Sequence, residues 1–357
     1  MLELTKYGRL GASSRMRSWQ YLPWLQQAGF DLCAEPLFSD EMLEARYESG
    51  GYRFGRIVRA YFERCRLLLQ RHSFDVVWIE KEALPWWPLW VESMLLRGVP
   101  YVLDYDDAIF HNYDQHRRPW VRRIYGKRLD GLMKKAALVV AGNSYLAQRA
   151  RDAGAARVEI IPTVVDLERY SLERTTSIST RGDERLLRIV WIGSPSTVAY
   201  LDMLREPLQS LSKRRGFVFR VIGGGNFDIP GVNVEVVPWS EDTEVDSIRE
   251  CDIGVMPLLD SKWERGKCGY KIIQYMACGL PVVASNIGVN SEIVMQGESG
   301  VLVNSNNEWV FALEKLMSDQ ALRAKMGVAG RECVEKKYCL QKTAPRLIGL
   351  LRTTGRL

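Results

Sequence analysis

The chain has 357 residues, 46% hydrophobic and 26% charged, with a formal net charge of +6. That length exceeds one ordinary core and fits two domains, and the composition is that of a folded soluble protein. No apolar run reaches the ~18 residues that span a bilayer, and the N-terminus lacks a signal-peptide core, so a cytoplasmic location is expected. The seven cysteines are odd in number and have neither C-x-x-C spacing nor accompanying histidines, which argues against a disulfide framework or zinc site. Cys268, set among basic residues, is the one thiol whose acidity the sequence suggests is raised.

In chain order, a short first strand leads into the turn Gly8 to Arg17, where glycines and helix-start residues are mixed with cations. Val76–Ile79, Tyr101–Leu103, Leu138–Ala141 and Val158–Ile161 read as buried strands, alternating with helical stretches as in a parallel α/β domain. Asp104, Asp106 and Asp107 follow the second of these, with His111 just beyond. Between Arg117 and Lys135 eight basic residues face one acid, Asp130, with Trp120, Ile124 and Leu129 interleaved. This predicts a basic amphipathic helix, either a contact for an anionic membrane or a solvated face packed on its apolar side. The tryptophans of Pro85–Trp90 favour the membrane, and no nucleic-acid motif accompanies the charge. A polar stretch, Thr175 to Arg185, reads as a linker.

A second α/β series starts at Arg188–Gly193 and continues through Phe217–Gly223, Val232–Val237, Ile253–Pro257 and Pro281–Ser285, predicting a second doubly wound domain. Residues just beyond strand ends are the candidate ligand contacts. They are Gly193 and Ser194, in a hydroxyl-rich turn that suits either a helix cap or a phosphate; Gly223 and Gly224, which permit close backbone approach; and Trp239, which either stacks on a base or covers a core edge. In Arg265-Gly266-Lys267-Cys268-Gly269, a basic glycine turn opens a helix from Tyr270 to Met276. Its free N–H groups, positive dipole end and the charges of Arg265, Lys267 and Lys271 suit a phosphate. From Glu308 onward the pattern is helical.

Met276-Ala277-Cys278-Gly279-Leu280-Pro281-Val282-Val283 resembles the donor-binding signature of glycosyltransferase family 4, retaining enzymes of the GT-B fold. The resemblance implies two Rossmann-like α/β domains facing across a cleft: residues 1–166 on the acceptor side, 167–340 binding the nucleotide-sugar, and a C-terminal helix, 341–357, crossing back to the first domain. The family carries two glutamates in this region. Gly266 stands at the position of the first, which is associated with the donor sugar, and Gln274 at that of the second, associated with the ribose; Glu264 lies two residues early. The resemblance also assigns Gly11, Ser13, Ser14 and Arg15 to the loop near the donor diphosphate, whereas Arg9 and Arg17 read as solvated. Asp104, Asp106 and His111 become candidates for the acceptor or sugar, and Asp107, Lys267 and Lys271 for catalysis.

The function expected is therefore retaining transfer of a sugar from a nucleotide-diphosphate-sugar to a hydroxyl of a glycan or lipid-linked glycan. Its setting would be surface polysaccharide biosynthesis at the cytoplasmic membrane face, with no metal or other cofactor and no nucleic acid. Two other readings stand beside it: a catalytically weakened sugar-binding or assembly protein, suggested by Gly266 and Gln274, and a nucleotide-sugar epimerase. An NAD-dependent oxidoreductase is disfavoured by the glycine spacing.

Overall fold

A computed structural model describes residues 1–171 and 185–355, so the predicted linker, apart from Arg185, lies outside the described residues. The chain divides into two compact units. The first comprises Met1–Thr163, Arg265–Cys268 and Leu340–Leu357, and the second Val164–Glu264 and Gly269–Cys339.

Six strands form the sheet of the first unit: β1 (Leu2–Tyr7), β2 (Cys33–Phe38), β3 (Val77–Glu80), β4 (Tyr101–Tyr105), β5 (Leu138–Ala141) and β6 (Val158–Ile160). All pair in parallel, in the order β2-β1-β3-β4-β5-β6. β3, β4 and β5 are buried throughout, which is why they read as continuous apolar runs rather than alternating ones. β4 runs two residues further than its apolar run predicts, so Asp104 lies inside the strand, paired with Glu80 of β3 and Val140 of β5. The last helix, Leu340–Thr354, belongs to this unit, and Thr343 shares a 2.9 Å hydrogen bond with the Tyr21 phenol.

The second sheet contains β7 (Arg188–Ile192), β8 (Val218–Ile222), β9 (Val234–Val237), β10 (Ile253–Met256), β11 (Val282–Ser285) and β12 (Gly300–Val303). It is also parallel, in the order β12-β11-β10-β7-β8-β9. The strand order reverses direction between β7 and β10, the place where such sheets open a crevice. The Tyr275 phenol spans that point, accepting from Ile192 N at 3.0 Å and donating to Val255 O at 3.4 Å. Gly254 makes room for it, since a Cβ there would lie 2.4 Å from the Tyr275 ring.

The single basic helix expected over Arg117–Lys135 is two helices, Pro119–Tyr125 and Arg128–Lys135. Arg128 turns inward, pairing with Glu82 and Glu92 and donating to Leu84 O at 2.7 Å, so it is absent from the solvated basic face. Among the described residues no helix is long and apolar enough to cross a membrane.

Arg17, expected to be solvated, is fully buried. Its guanidinium grips both oxygens of Asp104, at 2.7 and 2.9 Å, and donates to Ile161 O at 2.8 Å. Three chain segments are thereby tied at one charged centre. Removing one member of a buried pair strands the other charge, so Arg17→Met is expected to lower stability by about 3–5 kcal/mol, with much of the loss recovered in Arg17→Met/Asp104→Leu. The urea midpoint reads both, and a single variant as stable as the parent would remove the pair from the supports of the fold.

Candidate functional site

At the carboxyl ends of β1, β3 and β4, the first unit gathers a cluster of charges. Lys81, immediately after β3, is buried with φ +65°, a left-handed conformation that a non-glycine residue adopts only at a cost. Its ammonium lies 2.8 Å from Asp106 Oδ1, 2.8 Å from Ser13 Oγ and 3.5 Å from Glu80. Ser13 Oγ in turn makes a short hydrogen bond to Asp106 Oδ2. Burial opposes ionisation of Asp106, but Lys81 and the hydrogen bonds outweigh it and hold the carboxyl below its ordinary range. Asp107 differs. Burial raises its pKa, and Lys267, 3.5 Å away, only partly offsets this. Its side chain keeps 28% exposure against 2% for Asp104, making it the acid of this cluster most accessible to a substrate.

Lys267 is placed by its own backbone. Asn143 caps the helix Ser144–Asp152, accepting from Leu146 N, while its amide donates to Gly266 O at 3.0 Å and Lys267 O at 2.9 Å. Gly266 permits this approach, since a Cβ there would sit 2.4 Å from Ala108 Cβ and 2.9 Å from Ala108 N. The expected acidic character of Cys268 is reversed. The thiol is buried, burial pushes its pKa up, and it donates to Asp106 O at 3.1 Å.

The glycine turn after β1 is organised differently from the phosphate cradle expected of it. Arg9 N and Leu10 N both donate to the Asp40 carboxylate at 3.1 Å, so an internal anion takes these N–H groups. Gly11 precedes the helix Ala12–Arg17, where a Cβ would lie 2.5 Å from Tyr7 Cβ. Ser14 is buried and donates to Glu80 at 2.6 Å, and Arg15 is buried with Nη1 on Arg9 O. Ser14 and Arg15 thus support the loop from within, Ser14 at the Glu80 end of the charge cluster and Ser13 at Lys81 and Asp106. Asp104 is committed to Arg17. His111 is buried as well, with Nδ1 against Asp114 at 2.7 Å and Nε2 against Tyr145 at 2.9 Å, so both ring nitrogens have partners within the protein.

In the second unit, Gly193, Gly223 and Trp239 meet beyond the ends of β7, β8 and β9. Gly223 has φ +75°, and a Cβ there would lie 2.6 Å from Gly193 O and 2.9 Å from Trp239 Cβ. Gly224 is packed as tightly, against Val221 and Val198. Trp239 is half-buried, its indole fixed by a 2.8 Å bond to Glu244, and it packs on the core. Ser194 Oγ bonds Ser196 Oγ at 2.8 Å, and a run of 3₁₀ turns, Pro195–Leu204, follows. Tyr200 from that run donates to Glu264 at 2.6 Å, and Ser261 bonds the other carboxylate oxygen. Lys271 lies over the Trp191 ring, 5.6 Å from its centroid. Gly269, at φ +64°, opens the helix Tyr270–Ala277. Gln274, at the expected ribose position, is buried and donates to the Tyr170 phenol at 3.0 Å.

Both units match known sequence families. Residues 39–169 match the model described as Glycosyltransferase Family 4, and residues 187–319 that described as Glycosyl transferases group 1. The chain is similar over its whole length to HepE of Anabaena in complex with UDP (TM-score 0.72, 14% identity, 99% of each chain covered). It is also similar to sucrose-phosphate synthase of Thermosynechococcus elongatus (TM-score 0.70, 15% identity, 99% and 98% covered). At these identities the likeness establishes the fold.

The chain has the GT-B fold and resembles glycosyltransferase family 4.

Among sequence relatives, D-inositol 3-phosphate glycosyltransferase of Nocardiopsis dassonvillei is 26% identical over 57% of this chain and 53% of its own length. The Rhodococcus jostii protein of the same name is 30% identical over 42% and 29%. The chain therefore spans about half or less of these relatives. Against the family pattern, Gly266 is a steric requirement, because a glutamate there would collide with Ala108 before its carboxylate could reach a sugar. Lys81, Glu80, Asn143 and Tyr200 join the assigned residues. The strand-end rule points to Glu80 and Lys81 directly, since they close β3.

Gly266→Ala is expected to destabilise the protein by about 1–3 kcal/mol, the usual cost of forcing a group into a filled site. The double variant Gly266→Ala/Ala108→Gly should recover only the part due to the Ala108 methyl in a thermal melt, since Ala108 N, 2.9 Å away, remains. An unchanged melting temperature for Gly266→Ala would show that the approach to Ala108 is not tight.

Proposed function

We propose that the protein is a retaining glycosyltransferase, which moves a sugar from a nucleotide-diphosphate-sugar to a hydroxyl of a glycan or lipid-linked glycan in surface polysaccharide biosynthesis. The observation that carries this reading is the agreement of both units with glycosyltransferase models, 39–169 and 187–319, on a fold shared with a UDP-bound protein. In this reading Lys267 and Lys271 offset the charge that grows on the departing diphosphate. Asp107, half-buried and with its pKa raised by that burial, is suited to hold or pass the acceptor proton. The nucleotide would meet the backbone at the ends of β7 and β8, beside Trp239, where Gly193, Gly223 and Gly224 allow the chain itself to pack closely. The reading needs no metal. Asp104, Asp106 and Asp107 are each opposed by their own cation, Arg17, Lys81 and Lys267. The protein would work at the cytoplasmic membrane face, with Arg117, Arg118, Arg122 and Arg123 toward anionic lipid.

One observation favours the weakened sugar-binding reading: Gly266 has no room for a side chain, and Gln274 is turned onto Tyr170. The two are separated by thermal shift with UDP, GDP, ADP, CMP and dTDP, followed by turnover of the matching sugar nucleotides. Stabilisation by one diphosphate and transfer from its sugar nucleotide are expected. Binding without transfer would favour the sugar-binding protein, and donor conversion without acceptor an epimerase. Lys267→Ala and Lys271→Ala should each lower turnover by ~10- to 1000-fold with the fold intact. Unchanged turnover in both would take these lysines out of the mechanism.

A further inference from the structure

The helix Phe54–Leu69 is packed on one side only. Ala60, Arg64 and Leu68 are buried, yet Phe54 is 80% exposed, Phe62 69% and Leu69 64%. At ~100° per residue, Phe54, Val58, Phe62 and Leu69 fall within about 80° of one another, so they form one apolar stripe rather than scattered contacts. The stripe borders Tyr61, whose ring stacks on Trp87 at 6.0 Å and 7°. Beyond Trp87 the next helix, Leu89–Leu95, presents Trp90 and Met94, 68% and 55% exposed. Two neighbouring helices of the first unit, joined by the Tyr61–Trp87 stack, therefore each leave large apolar side chains uncovered. A stripe of this kind marks a contact surface, unlike a lone exposed leucine.

The charges beside it select the occupant. Arg56, Arg59 and Arg66 are exposed on the far side of the stripe, with Glu63 pairing Arg59 at 2.7 Å as the one acid among them. At the N-terminal end, Tyr52, Arg53 and Arg56 line a cavity of about 180 Å³. A second copy of this chain would set these arginine rims against each other. A bilayer with anionic headgroups satisfies both features, since aliphatic and aromatic side chains enter the acyl boundary while guanidinium groups meet phosphates.

We infer that the face formed by Phe54, Val58, Phe62, Trp90 and Met94 is the surface through which this protein docks on an anionic lipid leaflet. This deepens the reading under Proposed function by making the helix Phe54–Leu69 the inserting element, and it rests on that reading only for the acceptor that a membrane would present. Docking itself requires no donor.

Flotation with vesicles of equimolar phosphatidylglycerol and phosphatidylcholine, compared with phosphatidylcholine alone, tests it. The parent should bind the anionic vesicles, with affinity falling as salt rises. Phe54→Gln/Val58→Gln/Phe62→Gln should weaken binding at least ~10-fold, since these side chains supply the buried apolar area. Arg56→Gln/Arg66→Gln should weaken it and flatten the salt dependence. Circular dichroism and the nucleotide thermal shift, run on each variant, keep loss of docking distinct from loss of fold or of the donor site. Absence of parent binding to anionic vesicles, or a triple variant that binds like the parent, would overturn the inference. So would a parent that dimerises through this face and floats with neither vesicle.

Discussion

Neutralising charge at the carboxyl ends of the first sheet is the constraint on which that unit depends. Glu80, Asp104 and Asp106 are all buried within two adjacent strands and the turn after them. Carboxylates that close repel one another, and each loses its hydration on burial. Arg17 and Lys81 are the compensation, and both are placed at a conformational or topological cost. Arg17 reaches back from the helix after the first turn to bind Asp104 through two hydrogen bonds. Lys81 takes a left-handed backbone, worth about 1–3 kcal/mol of strain, while its ammonium meets Asp106, Ser13 and Glu80 together. With those acids satisfied, Asp107 is left as the least buried carboxyl of the group, facing Lys267 at 3.5 Å.

The second unit solves a different problem. Its strand order reverses between β7 and β10, and there the backbone ladder is short, pairing only Ile253 with Ile189 and Gly254 with Val190. The Tyr275 phenol completes the hydrogen bonding that the ladder leaves off, and Gly254 leaves the space its ring needs. Around that point the second unit sets glycines and Trp239 beside two charged groups, Lys271 over the Trp191 ring and Glu264 held by Tyr200 and Ser261.

How much of this is legible in the sequence follows from the range of the interaction concerned. The central strands and the helix from Tyr270 are local patterns of apolar periodicity and glycine punctuation, and they stand where the sequence places them. β2 and β12 are edge strands. Pro36 in one and Gly300 in the other mask the strand pattern, and both are tolerated because an edge has ladder groups to spare. The buried charges are invisible to local reading for another reason. Arg17 and Asp104 are 87 positions apart, and Lys81 and Ser13 are 68 apart. Nothing near Arg17 or Arg128 in sequence distinguishes them from solvated arginines. Similarly, the glycine turn after β1 has the composition of an anion cradle, but the anion it holds is Asp40, supplied by its own chain.

The departure at position 266 ties these strands of argument together. A missing glutamate read from sequence alone suggests lost function, yet the structure gives the glycine a positive reason. The Asn143 amide holds the Gly266 and Lys267 carbonyls, and Ala108 closes over the Cα, so any side chain would break the arrangement that sets Lys267 beside Asp107. The carboxylate two residues earlier has its own support, since Tyr200 and Ser261 each hold one oxygen of Glu264 beyond the end of β7. A buried carboxylate held by two hydroxyl donors has little rotamer freedom left to lose when a ligand binds. Closure by Ala108 thus accounts for the glycine at 266, while the neighbouring acid, Glu264, is fixed by hydroxyl contacts of its own.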